Sequence, residues 1–260
     1  QCASYDWDRG LGTCHNCDTS FQLHTYQRKG ASERVYVRPT EPANFNEVST
    51  NVETWFGTRG ISKQTLKDLQ VTEGPEWMPQ TSKQENTIQF NYFMGDQLIN
   101  VKYRDGRKNF KLYKGAEKVF YNINSIVGYD ECVIVEGEMD VLALHEAGIK
   151  NVISVPNGAT LNSNNLDYLD NCIDYFEDKA KIILAVDADE PGQALKQEFI
   201  RRLGAEVCYT VDFADCKDAN DYLIEHTAEM LRSAIHAAKQ VPLEGVTTLY
   251  DIQDEVKEFV

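Results

Sequence analysis

The chain's 260 residues can bury one large core or two small ones, and 42% hydrophobic with 26% charged residues is an ordinary soluble make-up. No apolar run approaches the ~18–20 residues of a membrane-spanning helix. Seven cysteines, odd in number and mostly scattered singly, argue against a secreted disulfide framework and for a reducing cytosol. A net charge of −15 at first argues against a polyanionic partner, but the charge is uneven: Lys102, Arg104, Arg107, Lys108, Lys111, Lys114 and Lys118 crowd one stretch. Local potential, not the total, steers a polyanion.

The first segment, 1–30, holds Cys2 and then Cys14-His15-Asn16-Cys17. Cys-x-x-Cys is half of a tetrahedral zinc site, and knuckles supply ligands in pairs. Cys2 stands at a sensible spacing upstream, but its own partner would precede the first residue. The segment is therefore expected to be a zinc ribbon cut through its first knuckle, with Cys2, Cys14 and Cys17 as zinc ligands. Three unrelated cysteines, with His15 as a fourth ligand or none, are the alternative. Without an initiator Met or a signal segment, the chain reads as a piece of something longer.

Residues 31–50, mixed and polar with Pro39 and Pro42, are expected to be a linker. Residues 51–125 read as a small α+β subdomain. Trp55, Phe56, Ile61, Leu66 and Leu69 suggest short helices around Arg59-Gly60. Apolar residues then alternate through 87–113, with Asp105-Gly106 as a hairpin signal. A two-residue turn there would place Arg104 opposite Arg107. Lys102, Arg104, Arg107 and Lys111 would then share one face, with Val101, Tyr103, Phe110 and Leu112 on the other. Lys108 would fall on the apolar side unless the loop is longer. A merely solvated hairpin does not require charge of one sign, so phosphate contact is expected.

In 126–226, strands 131–135, 151–155, 181–187 and 206–211 alternate with helical patterns. The helices expected are 138–147, one striped by Leu166, Leu169, Ile173 and Phe176, and one from Pro191 to Gly204. This alternation makes a parallel sheet with right-handed crossovers. Residues 227–260 add a helix over 227–239 and a short amphipathic one bearing Leu249, Ile252, Val256 and Phe259. No P-loop motif occurs anywhere.

Two acidic clusters end two apolar strands: Glu136-Gly137-Glu138-Met139-Asp140 and Asp187-Ala188-Asp189-Glu190-Pro191-Gly192. Loops at the carboxyl ends of parallel strands form the ligand crevice. Carboxylates held close raise one another's pKa, and a divalent cation relieves the repulsion. Magnesium takes one or two carboxylates, keeps waters and accepts phosphate oxygens. A magnesium site that handles phosphates is the expectation. Glu138, Glu190 and Asp221 read as solvated helix-start carboxylates, and Cys132, Cys172, Cys208 and Cys216 as buried or incidental.

Glu136-Gly-x-x-Asp140, Asp187-x-Asp189-x-x-Gly192 and Lys217-Asp218-Ala219-Asn220 resemble, in that order, the TOPRIM domain of bacterial-type primases, topoisomerases and some nucleases. Lys-Asp-Ala-Asn is similar to the primase branch, especially phage-type and mitochondrial primase-helicases. The resemblance covers about residues 85–226. It implies a TOPRIM-like α/β fold, a parallel sheet flanked by helices, preceded by the α+β subdomain with its basic hairpin and the truncated zinc ribbon. Glu136 would act as metal-linked acid/base near an attacking 3′-hydroxyl. Asp187 and Asp189 would hold magnesium or manganese on the incoming nucleotide, with Asp140 and Asp218 supporting. Lys102 and Lys108 match the basic residues that contact nucleotide and template upstream of the Glu-Gly motif. Arg104, Arg107, Lys111, Lys217 and Asn220 would complete the nucleotide and nucleic-acid contacts.

The whole then resembles the primase portion of a primase-helicase, making RNA primers on a single-stranded DNA template from ribonucleoside triphosphates. Implied partners are a helicase domain or subunit and a ring oligomer in the parent protein, with no membrane. The implied location is the cytoplasm of a bacterial or phage-infected cell, with a mitochondrial relative second. A phosphodiester-cleaving TOPRIM enzyme and a catalytically silent DNA-binding module are the rivals.

Overall fold

Alternating and continuous apolar runs sort the described residues of this chain into three sheets of different character. The computed structural model describes residues 3–6, 11–14, 20–22, 35–40, 48–158 and 166–242. The chain divides into two compact units, residues 1–36 and 37–260.

In the first unit three short strands, β1 (Ala3–Asp6), β2 (Leu11–Cys14) and β3 (Ser20–Gln22), pair antiparallel in chain order. Cys14 ends β2 as a free, partly exposed thiol. Cys2, His15 and Cys17 lie outside the described residues, and with them the expected zinc ligand set.

The second unit opens with two serine-capped helices, α1 (Thr50–Gly57) and α2 (Lys63–Asp68). Ser49 accepts from the Val52 N–H and Ser62 from the Thr65 N–H, each satisfying an orphan donor of the first turn. An antiparallel sheet follows: β4 (Thr72–Met78), β5 (Lys83–Met94), β6 (Gln97–Asp105) and β7 (Phe110–Leu112). Both of its faces bury apolar groups. Phe90 and Tyr92 join the main core, while Val101 and Tyr103 pack with Met78 and Leu98 in a small second cluster.

The turn between β6 and β7 departs from the two-residue hairpin. Gly106, Arg107 and Lys108 all lie in the loop, because the Asp105 carboxylate accepts from the backbone N–H of Arg107 and of Asn109, each at 2.9 Å. Lys108 takes the left-handed conformation this closure needs, at φ 66°. Arg104 therefore faces Phe110, and Tyr103 faces Lys111. The expected pairing slips by three residues. An odd slip exchanges the faces of a strand. Phe110 joins Lys102 and Arg104, and Lys111 moves to the opposite side.

The second sheet is built from β8 (Glu131–Val135), β9 (Val152–Ser154), β10 (Lys181–Leu184), β11 (Cys208–Thr210) and β12 (Lys239–Gln240), in the order β12-β11-β10-β8-β9. All neighbours are parallel except the edge pair β11–β12. Strands buried on both faces read as apolar runs, and Cys132 to Val135 is one. The connecting helices are α3 (Glu138–Glu146), α4 (Asp167–Asp170), α5 (Glu190–Leu203), α6 (Ala219–Glu225) and α7 (Ala228–His236).

Three elements differ from the sequence expectation. The stripe from Leu166 to Phe176 buries Leu166, Leu169 and Phe176, and Ile173 in part, as α4 plus a 3-10 turn, Ile173–Tyr175, separated at Cys172 (φ −121°, ψ 13°). After the strand expected over 206–211 the sequence reads as a loop from Asp212 to Asn220, and helix α6 starts within it because Asp218 caps it. Helix α7 stops at His236, and Lys239–Gln240 extends the sheet edge instead. The amphipathic pattern over 249–259 lies outside the described residues.

One core runs through the second unit. Phe56, Leu66, Phe90, Tyr92 and Tyr121 share it with Val133, Leu142 and Leu184. The Tyr92 and Tyr121 rings meet edge to face at 5.2 Å. Each such side chain contributes roughly 1.5–3 kcal/mol on burial, so helices, hairpin sheet and parallel sheet are held in fixed register.

Candidate active site

Strands β8 and β10 are hydrogen-bonded neighbours, with Ile134 opposite Leu184, so the loops leaving their carboxyl ends start side by side. That adjacency brings one oxygen each of Glu136, Asp187 and Asp189 within 4.8 Å of one another. The Asp187 N–H donates to Glu136 Oε1 at 3.0 Å. Asp189 caps α5, its carboxylate accepting from the Gly192 N–H at 3.0 Å. Gly192 has a specific reason to be glycine. A Cβ there would fall inside contact distance of the Asp187 carbonyl oxygen and of Glu136 Oε1. The missing side chain lets the first turn of α5 close against both acidic loops.

Two further carboxylates stand behind these three. Asp140, buried in the first turn of α3, accepts from the Asn220 N–H at 3.1 Å. Asp218 caps α6 by accepting from the Asp221 N–H at 2.8 Å. Burial, then the charges of Asp218 and Asp187, pushes the Asp140 carboxyl well above the usual carboxylate range. Asp187 is also raised, chiefly by burial and with Asp218 and Asp189 adding to it. Lys217, 2.9 Å from Asp187 Oδ2, works against that rise without cancelling it, and its own pKa is lifted by the same hydrogen bond. Five carboxylates face one lysine. An all-oxygen set in which carboxylates outnumber the cation beside them fits a hard divalent cation of the magnesium class.

The basic strand reaches this region through a residue read from sequence as solvated. Glu138 is 3% exposed. Lys102 donates to both of its oxygens at 2.9 Å, and the Tyr92 hydroxyl donates to Oε1. Its place in the first turn of α3 points it at β6 rather than at water. Lys102 is thus tied to the helix that begins one residue after Glu136-Gly137.

Arg104 lies buried, 4.5 Å over the Trp55 ring and 5.9 Å from Phe110. Arg59 lies 4.7 Å over the same Trp55 ring. Burial, aided by the Arg59 charge, pulls the Arg104 pKa below its ordinary value. Its guanidinium reaches only the Asp105 carbonyl, at 3.4 Å, with no carboxylate contact among the described residues. Arg107 and Lys108 are exposed at the loop tip. Lys111, on the far face, pairs with Glu76 at 2.6 Å and lies over the Tyr103 ring. The Asn220 side chain is buried and donates to the Arg59 carbonyl at 3.0 Å, splicing α6 to the end of α1. Glu136, Asp140, Asp187, Asp189, Lys217 and Asp218 therefore converge, Lys102 joins through Glu138, and Lys111 stands apart. Trp55, Arg59, Tyr92 and Glu138 escaped the sequence reading. The Arg59-Gly60 pair was its nearest signal.

Beside Asp187 a cavity of about 200 Å³ opens between β10, β11 and α5, lined by Val186, Lys196, Val211, Phe213 and Lys217 among others.

Residues 133–223 match the family model described as Toprim-like. The chain is 34% identical over 222 residues to the Primase homolog protein of Arabidopsis thaliana, spanning 79% of this chain and 64% of that one. It is 32% identical over 225 residues to the Twinkle homolog protein, chloroplastic/mitochondrial, of the same plant, spanning 80% of this chain and 31% of the relative. It thus covers about a third to two thirds of the length of these relatives. The crystal structure of the primase fragment of the bacteriophage T7 primase-helicase shares the fold, with a TM-score of 0.57, 24% identity, and 86% of this chain and 90% of that one covered.

Proposed function

From a chain that carries a Toprim-like domain and resembles the TOPRIM primases of phage and organellar primase-helicases, we propose a DNA primase acting as part of a primase-helicase. It joins ribonucleoside triphosphates into short RNA primers on single-stranded DNA. The 3′-hydroxyl of one nucleotide attacks the α-phosphorus of the next, pyrophosphate leaves, and the hydroxyl proton passes to a nearby base. The observation that carries this is the convergence of Glu136, Asp187 and Asp189 at adjacent strand ends, with a basic strand tied to the same helix start.

Glu136, Asp187 and Asp189 would hold magnesium or manganese, with Asp140 and Asp218 behind them. Such a cation neutralises phosphate charge and lowers the pKa of an attacking hydroxyl. Glu136 would take the proton. Lys217, freed from Asp187, meets the triphosphate, and the neighbouring cavity fits part of the nucleotide. Lys102 and Arg104 supply positive charge along β6. Arg107 and Lys108, exposed at the loop tip, suit phosphates of the template strand. Lys111, on the other face, is the weakest contact of the set, and buried Asn220 acts by holding Arg59 and Asp140. In the amino-terminal unit, Cys2, Cys14 and Cys17 belong to a zinc site that aids template recognition, with Cys14 at a strand end in support. A helicase domain, a ring assembly and a reducing compartment complete this reading.

Labelled ribonucleotides on single-stranded DNA test it. Template-dependent primers are expected, and Glu136→Gln and Asp187→Asn should abolish them while melting stays unchanged. Nicking without ribonucleotides, or DNA binding with neither activity, overturns the proposal. Wild-type synthesis by both variants overturns the site.

A further inference from the structure

The loop that carries Lys217 and Asp218 presents a second, chemically different donor set. Cys216 immediately precedes Lys217, while Glu225 and His226 close helix α6. The Cys216 sulfur, a Glu225 carboxylate oxygen and a His226 ring nitrogen lie within 4.8 Å of one another. The thiol is 6% exposed and donates to Glu225 Oε2 at 3.6 Å. The His226 ring packs 4.4 Å from Tyr222, which in turn meets Phe213 from the start of the same loop at 5.8 Å. The thiol is thus buried, and the exposed imidazole leans on one aromatic neighbour. Glu225 and His226 remain exposed, giving an ion a route in.

Three donors of three kinds do not suit magnesium, which prefers oxygen alone. Sulfur with imidazole and one carboxylate is the set that selects zinc and its neighbours. Residues 212–226 also carry five carboxylates and a single lysine, so the local field draws cations. We propose that Cys216, Glu225 and His226 form a zinc-class metal site, with water as the fourth ligand, separate from the carboxylate cleft.

A tetrahedral centre needs its ligand atoms roughly 3.5 Å apart. Contraction from the present spacing is of the order of 1 Å, within reach of two exposed side chains at a helix end. Bound metal would staple loop 212–218 to the carboxyl end of α6. That loop presents Lys217 and Asp218, so the metal limits how far they can move from Asp187 and Asp140. The site does not depend on the reaction proposed above.

The test uses the full chain with Cys2→Ser, Cys14→Ser and Cys17→Ser, which silences the amino-terminal thiols. Cobalt(II) stands in for zinc, in excess magnesium to fill the acidic cleft. One equivalent should bind with a thiolate-to-cobalt charge-transfer band that zinc bleaches. Adding Cys216→Ser should remove the band, and His226→Gln should weaken cobalt binding tenfold or more. His226 is exposed, so His226→Gln keeps the test decisive if Cys216→Ser fails to fold. Its melting without metal should match the parent. Absence of the band in the silenced chain, or unchanged cobalt affinity in His226→Gln, overturns the proposal.

Discussion

Replacing Lys102 by methionine removes an ammonium that donates to both Glu138 oxygens at 2.9 Å, in a pair whose side chains are only 12% and 4% exposed. Breaking a buried pair by deleting one partner costs about 3–5 kcal/mol, because the other charge stays buried. Glu138 retains the Tyr92 hydroxyl, which places Lys102→Met near 3 kcal/mol, the lower end of that range. In Glu138→Met the lysine can extend its head toward water, so about 2 kcal/mol is expected. The double variant removes both charges and keeps the volume, and should lose about 1 kcal/mol or less. The coupling in this cycle should therefore be about 4 kcal/mol. Urea unfolding followed by circular dichroism reads it, with unchanged slopes confirming a common unfolded state. Primer synthesis should stay lost in the double variant although stability returns, which separates the chemical role of Lys102 from its structural one. If the double variant is as unstable as the sum of the singles, within ~0.5 kcal/mol, the pair does not act as a unit.

Gly192→Ala must push the Asp187 carbonyl or Glu136 aside, so it should cost about 1–3 kcal/mol and weaken manganese binding, read by electron paramagnetic resonance. Wild-type affinity in that variant would show that the close approach of α5 is not required. Asp140 predicts a pH dependence. Its folded pKa is raised, so between the unfolded value of ~3.9 and the folded one the native state holds a proton that the unfolded chain has released. That stability is fully present below the unfolded value and is lost as pH rises through the folded one. Without divalent ions, urea midpoints should fall as pH rises above the unfolded value, and Asp140→Asn should flatten the fall; identical profiles for both proteins contradict the assignment. On single-stranded DNA, Arg107→Ala and Lys108→Ala should each reduce the salt slope of binding by about 0.7. Lys111→Ala, on the opposite face and paired with Glu76, should leave that slope alone, and equal effects of all three would sink the register argument.

Much of the parallel sheet was legible because its signals are local. Apolar runs at Cys132–Val135 and Ile182–Val186 announce buried strands, and the acidic residues follow each run directly. The same locality explains Glu136, Asp187 and Asp189, whose convergence needs only that β8 and β10 be neighbours. The hairpin register failed for a reason equally local but finer. Asp105 caps its own turn with two backbone hydrogen bonds, which moves the loop to residues 106–108 and slips the pairing by three. Glu138 was misjudged because a carboxylate at a helix start ordinarily faces water, whereas here its partners are 36 and 46 positions away. Arg59 and Asn220 meet across 161 residues, a contact that no periodicity encodes.

Lys217 sits 2.9 Å from Asp187, on a side chain 58% exposed. A divalent ion that arrives alone must evict a charge already in place, and the displaced ammonium gains nothing but water. An ion that arrives on a triphosphate offers the lysine a new anion in the same event. Lys217 offsets part of the cleft's charge at rest, so the cleft should favour the magnesium–nucleotide complex over free magnesium. One lysine would thus make cation entry and substrate capture a single exchange of partners.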